Sequence, residues 1–333
     1  MFGSIETLKA IVSAVVQKVD HRMTLENLCN KIVLPLLSLA SKLFQNYNET
    51  TSFILISIFK IFSTITNFHI PEIVIANMHS WMIFIKKLLD LNIESGNIDM
   101  NMYQLKKICL RIMFRFYQRH LNKKFSDAPK QVIEDFHNKF TKGITESLLL
   151  QIINEAHMSK NSSNKNYIKL TKYSLSCLSY VYEEDRNAAL IIDRYRDKII
   201  YLCLERYKTK VNKSYSSYGE FASKLNDERA HLCGFIKALI KNETKVAEER
   251  AKNNYNYNNL SEGMAILGLL YAHIESGDMD LKELCLYIYS DIASVLPQSE
   301  NEIQEKMLAF ILKIVSPLLN SSESPTILKL RCC

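Results

Sequence analysis

Glycine and proline are scarce in this chain, with 8 and 6 among 333 residues. Strand-rich folds need many tight turns, and tight turns draw on these two residues, so an all-β architecture is poorly provided for. Charge of one sign is also modest: the net balance of +7 favours anionic partners without specifying one. The apolar stretch at the start, residues 1–17, has no basic region ahead of it, so a secretory signal peptide is not expected. Catalytic signatures are missing as well. There is no Gly-rich phosphate loop, no nucleophile elbow and no His-Glu-x-x-His pair. The 8 cysteines are dispersed and show no Cys-x-x-Cys spacing, which argues against a metal site or a disulfide framework. Cys177, Cys203 and Cys233 read as small core residues, and the Asn-x-Ser/Thr matches at Asn48 and Asn242 as chance in a reducing compartment. No catalytic residue, metal or cofactor is implied, so the expected class of function is binding.

What the chain has is helical periodicity from end to end. The stretch SFILISIFKIFSTIT, residues 52–66, is the most apolar. At about 100° per residue, Ser52, Ser57, Lys60, Ser63, Thr64 and Asn67 share one arc. Ile54, Ile58, Ile61, Phe62, Ile65 and Phe68 fall opposite, and only Phe53 and Ile56 intrude on the polar side. A membrane span needs about 20 mostly apolar residues and would not keep Lys60 in a continuous polar face. The stretch therefore predicts a helix packed on most of its circumference, with Lys60 and the serines on a free strip.

Helical patterns recur over 5–19, 25–46, 51–68, 71–91, 102–122, 128–157, 166–183, 187–208, 216–241, 261–275, 280–296 and 301–319. Turn signals such as NYNET, FHIPE and LPQSEN separate them. Asp280 with Glu283 three residues on predicts a capping arrangement, and Gly277 a helix stop. The stretches 157–166 and 242–260 read as mobile loops. The expected fold is all-α: a HEAT/armadillo-like α-solenoid of about six helical hairpins over residues 1–333, with a compact helical bundle as the alternative.

One constellation suggests a contact surface. Lys107, Arg111, Arg115 and Arg119 recur at intervals of four on one helix and span about 120° of its face. Such a stripe suits an acidic protein surface or phosphates. It suits better a solvated face whose arginine stems cover apolar neighbours. Nucleic acid would bring aromatic stacking residues into a basic groove, with Phe114 and Tyr117 the candidates here. His231 reads as a packed histidine and the Glu183–Arg186 cluster as a solvated helix junction. The terminal RCC resembles a prenylated end, but nothing else resembles a small GTPase.

Several stretches, in order, resemble the importin-β superfamily, in the branch of importin seven and importin eight. ISIFKIFSTI carries Phe59, Lys60 and Phe62, and MHSWMIFIKKLLDL carries Trp81, Ile85 and Leu88. KKICLRIMFRFYQRH supplies Lys106, Lys107, Leu110, Ile112, Arg115 and Arg119. VIEDFHNKFTKGITESLLLQII supplies Phe136, Phe140, Gly143, Leu148 and Leu149. Fainter similarity continues through IIYLCL, YGEFASKL and GMAILGLLYAHI, covering residues 25 to about 275. The chain departs from the pattern in its basic charge, in MYQLKKI where the family has a tryptophan-rich entry, and in an acidic-aromatic signature reduced to Glu220 and Phe221. It reads as a shortened or fragmentary receptor lacking the amino-terminal Ran-binding repeats. The resemblance implies a nuclear transport receptor that binds cargo proteins, phenylalanine-glycine nucleoporins and, as a further partner, the small GTPase Ran. It implies shuttling between cytoplasm and nucleus without membrane insertion. A non-transport HEAT-repeat scaffold is the alternative, and direct RNA binding is the weakest reading.

Overall fold

A computed structural model describes residues 2–17, 22–67, 70–91, 100–120, 129–159, 168–208, 229–242, 262–275, 278–296 and 301–322. Among them every regular element is helical, and no strand occurs. The chain is therefore all-α. Two units can be distinguished, Met1–Ile192 and Asp193–Cys333.

The first unit contains α1 (Phe2–Val16), α2 (Arg22–Gln45), α3 (Glu49–Ile65), α4 (Glu72–Ala76), α5 (Met78–Asp90), α6 (Met100–Arg115), α7 (Lys130–Phe136), α8 (Lys142–Ser159) and α9 (Ile168–Glu184). α10 (Arg186–Asp193) closes it. Short π turns extend α6 over Phe116–His120 and join α7 to α8 over His137–Thr141. The packing follows chain order. Consecutive helices pair as α2/α3, α5/α6 and α8/α9. The second members lie side by side, α3 on α6 and α6 on α9. The first members do the same: Phe44 of α2 meets Phe84 of α5 edge-on at 5.3 Å, and α5 packs on α8. α1 covers the remaining side of α3.

The stretch 52–66 thus lies at the centre of this unit, and its expected free strip is only partly free. Ser52 is fully buried and Ser57 is 4% exposed. Ser57 Oγ donates to the Glu6 carboxylate of α1 at 2.6 Å. Small hydroxyls let α1 approach closely, and each hydroxyl finds an acceptor there or in its own helix. Phe53 is the residue left outside, 47% exposed. Asn48 begins α3: its side chain accepts from the Thr51 N–H at 3.0 Å, while Thr51 Oγ1 accepts from the Asn48 N–H at 2.8 Å. That reciprocal cap satisfies donors that a helix start leaves open. No described helix is long and apolar enough to cross a membrane.

Three positions of the importin-like pattern, Phe59, Phe62 and Trp81, sit in the core between helix pairs, and Phe140 is half-buried. Phe62 stacks on Trp81 at 4.0 Å and 22°, and Phe59 meets the same indole edge-on at 6.0 Å. Phe140 packs on His79 at 5.2 Å and on Phe136 at 5.5 Å. Gly143 faces Lys86, whose side chain passes within 2.8 Å of where a Cβ would stand. The exception to the apolar rule is Lys106, 1% exposed. Its ammonium donates to the carbonyls of Leu89 (2.8 Å) and Leu91 and to Gln151 Oε1 at 3.2 Å. Carbonyls at the end of a helix lack intrahelical donors and favour a cation, so Lys106 fastens α6 to the end of α5.

The second unit contains α11 (Arg196–Tyr207), α12 (229–242), α13 (Glu262–Glu275), α14 (Met279–Ile292), α15 (Asn301–Phe310) and α16 (Ser316–Asn320). α14 is its hub. α11 and α13 pack on it, and Tyr289 stacks on Phe310 of α15 at 3.7 Å. The cap of α14 differs from expectation: Asp278, not Asp280, accepts from the Asp280 and Leu281 N–H groups at 3.0 and 3.2 Å. Burial pushes the Asp278 carboxyl up, but the Leu281 N–H and the Lys208 ammonium outweigh it and hold the group below its ordinary value. Glu283, expected in the cap, is instead fully buried against Arg229 of α12. The loops at 157–166 and 242–260, Gly277, and Glu220 with Phe221 lie wholly or largely outside the described residues.

The six described cysteines are all buried and free, as expected of core residues. Burial raises the thiols of Cys29 and Cys285 to about 12 and pushes Cys109, Cys177 and Cys233 up as well. The 183–186 junction is more ordered than a solvated loop. Asp185 accepts from the Asn187 and Ala188 N–H groups at 2.9 and 3.0 Å and so starts α10.

Candidate functional site: a cationic groove

Three neighbouring helices of the first unit, α1, α3 and α6, leave a groove between them. From α3 it takes Lys60, Ser63, Thr64 and Asn67, the carboxyl-terminal half of the polar arc. From α6 it takes Gln104, Lys107, Ile108, Arg111 and Arg115, at the three- and four-residue spacing that aligns side chains on one face. α1 contributes Lys9 and Ser13. The volume is about 430 Å³. α3 supplies the floor because α1 and α6 both pack on it. Short side chains at 63 and 64 keep that floor low, and the Thr64 hydroxyl donates back to the Lys60 carbonyl at 2.9 Å.

Among the lining residues there are five cations and no carboxylate. The nearest acid, Glu6, is engaged elsewhere: Lys9 and Ser57 both donate to it. Those hydrogen bonds, Lys9 first, hold its carboxyl below the ordinary value. One nitrogen of Arg115 donates to the Ser63 carbonyl at 3.2 Å and to Ser63 Oγ at 2.9 Å. This anchoring orients the Arg115 guanidinium at the edge of α3. Arg111 is exposed and Lys60 partly exposed. Among the described residues, no side-chain hydrogen bond or ion pair is found for either, although the charge of Lys60 helps to hold the Glu6 carboxyl down.

The stripe read from the sequence is thus partly assembled. Lys107, Arg111 and Arg115 line one groove; the side chain of Arg119 lies outside the described set. The aromatic neighbours point away from it. Tyr117 is 3% exposed and meets Phe136 edge-on at 6.0 Å, and Phe114 lies between Tyr173 and Tyr180 at 6.3 and 6.1 Å. Lys9 and Ser13 escaped sequence reasoning because nothing local ties α1 to α6. The polar arc of α3 was the available signal, since a helix otherwise buried keeps polar residues where something polar faces them.

Among the described residues, no group of three or more His, Cys, Asp and Glu side chains could hold a metal ion. Compared with family models, curated proteins and solved structures, the chain matches none.

Proposed function

We propose that this chain works by stoichiometric binding, as a helical-repeat protein of the importin type. The observation that carries the reading is the packing order of the first unit: three helix pairs laid side by side, first helices against first and second against second. Nearest-neighbour stacking of this kind is how a HEAT or armadillo-like solenoid buries faces that no single pair can bury alone. The importin-like positions Phe59, Phe62 and Trp81 support it, since they form the contact between successive pairs. On this reading cargo proteins lie along one layer and phenylalanine-glycine nucleoporins insert between helices of the other. Ran shifts the stack between curvatures through its differential affinity for them.

Titration of the chain with a phenylalanine-glycine repeat peptide tests the proposal. Saturable binding in the micromolar range is the expected result. No binding at high micromolar concentration overturns transport; a stoichiometric complex insensitive to RanGTP would then assign the scaffold role.

A further inference from the structure

We propose that the groove between α1, α3 and α6 is a binding site for a small ligand carrying two or more phosphate groups. This inference stands apart from the transport reading, because it uses only the side chains of one groove. Three features select the ligand chemistry. First, Lys60, Arg111 and Arg115 line a concavity of about 430 Å³ whose lining holds no carboxylate; Glu6, which couples to Lys60 from outside the lining, is already bonded to Lys9 and Ser57, so attraction of a polyanion outweighs repulsion. Second, the hydroxyl of Ser13 and the amide of Gln104 add neutral donors. Phosphate oxygens accept several such bonds at once, and charge-assisted ones are the stronger kind. Third, Ile108 is the only apolar lining residue. A peptide or drug-like ligand, which relies on apolar enclosure, finds little to hold.

The size fits a compact ligand better than a polymer. Binding of single-stranded nucleic acid adds base stacking on exposed aromatic rings. Here, of the rings nearest the stripe in sequence, Tyr117 is buried in the core against Phe136 and Phe114 is half-buried against Tyr173 and Tyr180. Arg115 is already held by Ser63, so one donor of the site is pre-oriented, which lowers the ordering cost of binding.

Isothermal titration of the full chain with inorganic tripolyphosphate and with inositol hexakisphosphate, at about 0.1 M salt, tests the site. A second arm measures co-sedimentation with phosphatidylcholine vesicles, with and without a bisphosphorylated phosphoinositide. Binding of the free polyphosphates assigns a soluble ligand; binding confined to the phosphoinositide vesicles assigns a lipid headgroup of the same chemistry. In either case Lys60→Glu and Arg111→Glu should each weaken binding at least tenfold, with urea midpoints close to wild type. Lys87→Glu makes the same change in net charge at an exposed position outside the groove, and should change affinity less than twofold. Equal weakening by Lys87→Glu overturns the proposal, as does the absence of saturable binding below millimolar concentration. So does single-stranded RNA that binds more tightly than either probe and loses affinity with Arg111→Glu.

Discussion

Replacing Arg229 with methionine should destabilise the second unit by about 3–5 kcal/mol, the usual cost of breaking a buried ion pair from one side. The geometry sets that scale. Arg229 is 1% exposed and Glu283 is fully buried. One guanidinium nitrogen donates to Glu283 Oε1 at 3.0 Å and another to Oε2 at 2.8 Å, a two-pronged contact. The same guanidinium donates to the Tyr207 carbonyl at 3.0 and 3.3 Å, tying α12 to the end of α11 as well as to α14. Methionine restores most of the volume but leaves a carboxylate in the core without the guanidinium opposite. Arg229→Met/Glu283→Leu removes both charges together, and the Tyr207 carbonyl loses the Arg229 donors. Its cost should fall to about 1–3 kcal/mol, the penalty of one lost buried hydrogen-bond partner. Urea denaturation followed by circular dichroism of wild type, Arg229→Met, Glu283→Leu and the double variant gives the full cycle. In Arg229→Met, burial should raise the Glu283 carboxyl above its unfolded value. The folded state then takes up a proton that the unfolded state does not, so the defect shrinks as pH falls from 7 toward about 5. A cost below about 1 kcal/mol for Arg229→Met, or single-variant costs that simply add in the double variant, would refute the reasoning.

Adjacent cations on α6 should separate structure from binding. Lys106→Met withdraws a buried donor from the end of α5 and should cost about 2 kcal/mol in urea titration. Arg111→Ala, at an exposed position, should stay within about 0.5 kcal/mol of wild type. Gly143→Ala should leave stability within about 1 kcal/mol: the added methyl displaces only the flexible end of Lys86, and alanine's better helix propensity offsets the shift. A larger loss would mean that the backbones of α5 and α8 resist separation. Asp278→Ala should cost about 1 kcal/mol at pH 7 through the lost cap of α14. Because the Asp278 carboxyl lies below its ordinary value, its contribution is complete above about pH 4 and is lost as pH falls through the lower folded value. The gap between wild type and Asp278→Ala should therefore close in acid, measured by thermal unfolding from pH 7 to about pH 2.

Periodicity made the helices legible, because which residues face inward repeats every three or four positions whatever the neighbours are. It also placed the cysteines, the Phe62 face of α3 and the polar arc opposite. Periodicity cannot say what lies across from an arc. Ser52 and Ser57 look solvent-facing on a helical wheel, yet both are buried, Ser57 against Glu6 of α1, since a serine between close helices costs little once its hydroxyl has an acceptor. The α14 cap shifted from Asp280 to Asp278 for a similar reason. Both aspartates suit a cap locally, but Glu283 is claimed by Arg229, 54 residues away, and cannot reach back to complete the box at Asp280.

The cations of α6 carry this point furthest. Lys106 is consumed by the end of α5, and Arg115 is partly consumed by Ser63. Among the described residues, Arg111 makes no side-chain hydrogen bond or ion pair, and it lines the groove with Lys60. A charged side chain that the fold does not need, held beside others of the same sign, destabilises slightly by repulsion, and a fold selected for stability alone would place a carboxylate among them. Glu6 pairs with Lys9, but no carboxylate lines the groove itself. Its unbalanced charge is the feature that stability leaves unexplained and binding of an anion explains, and that contrast directs the mutations to Lys60 and Arg111 rather than to Lys106.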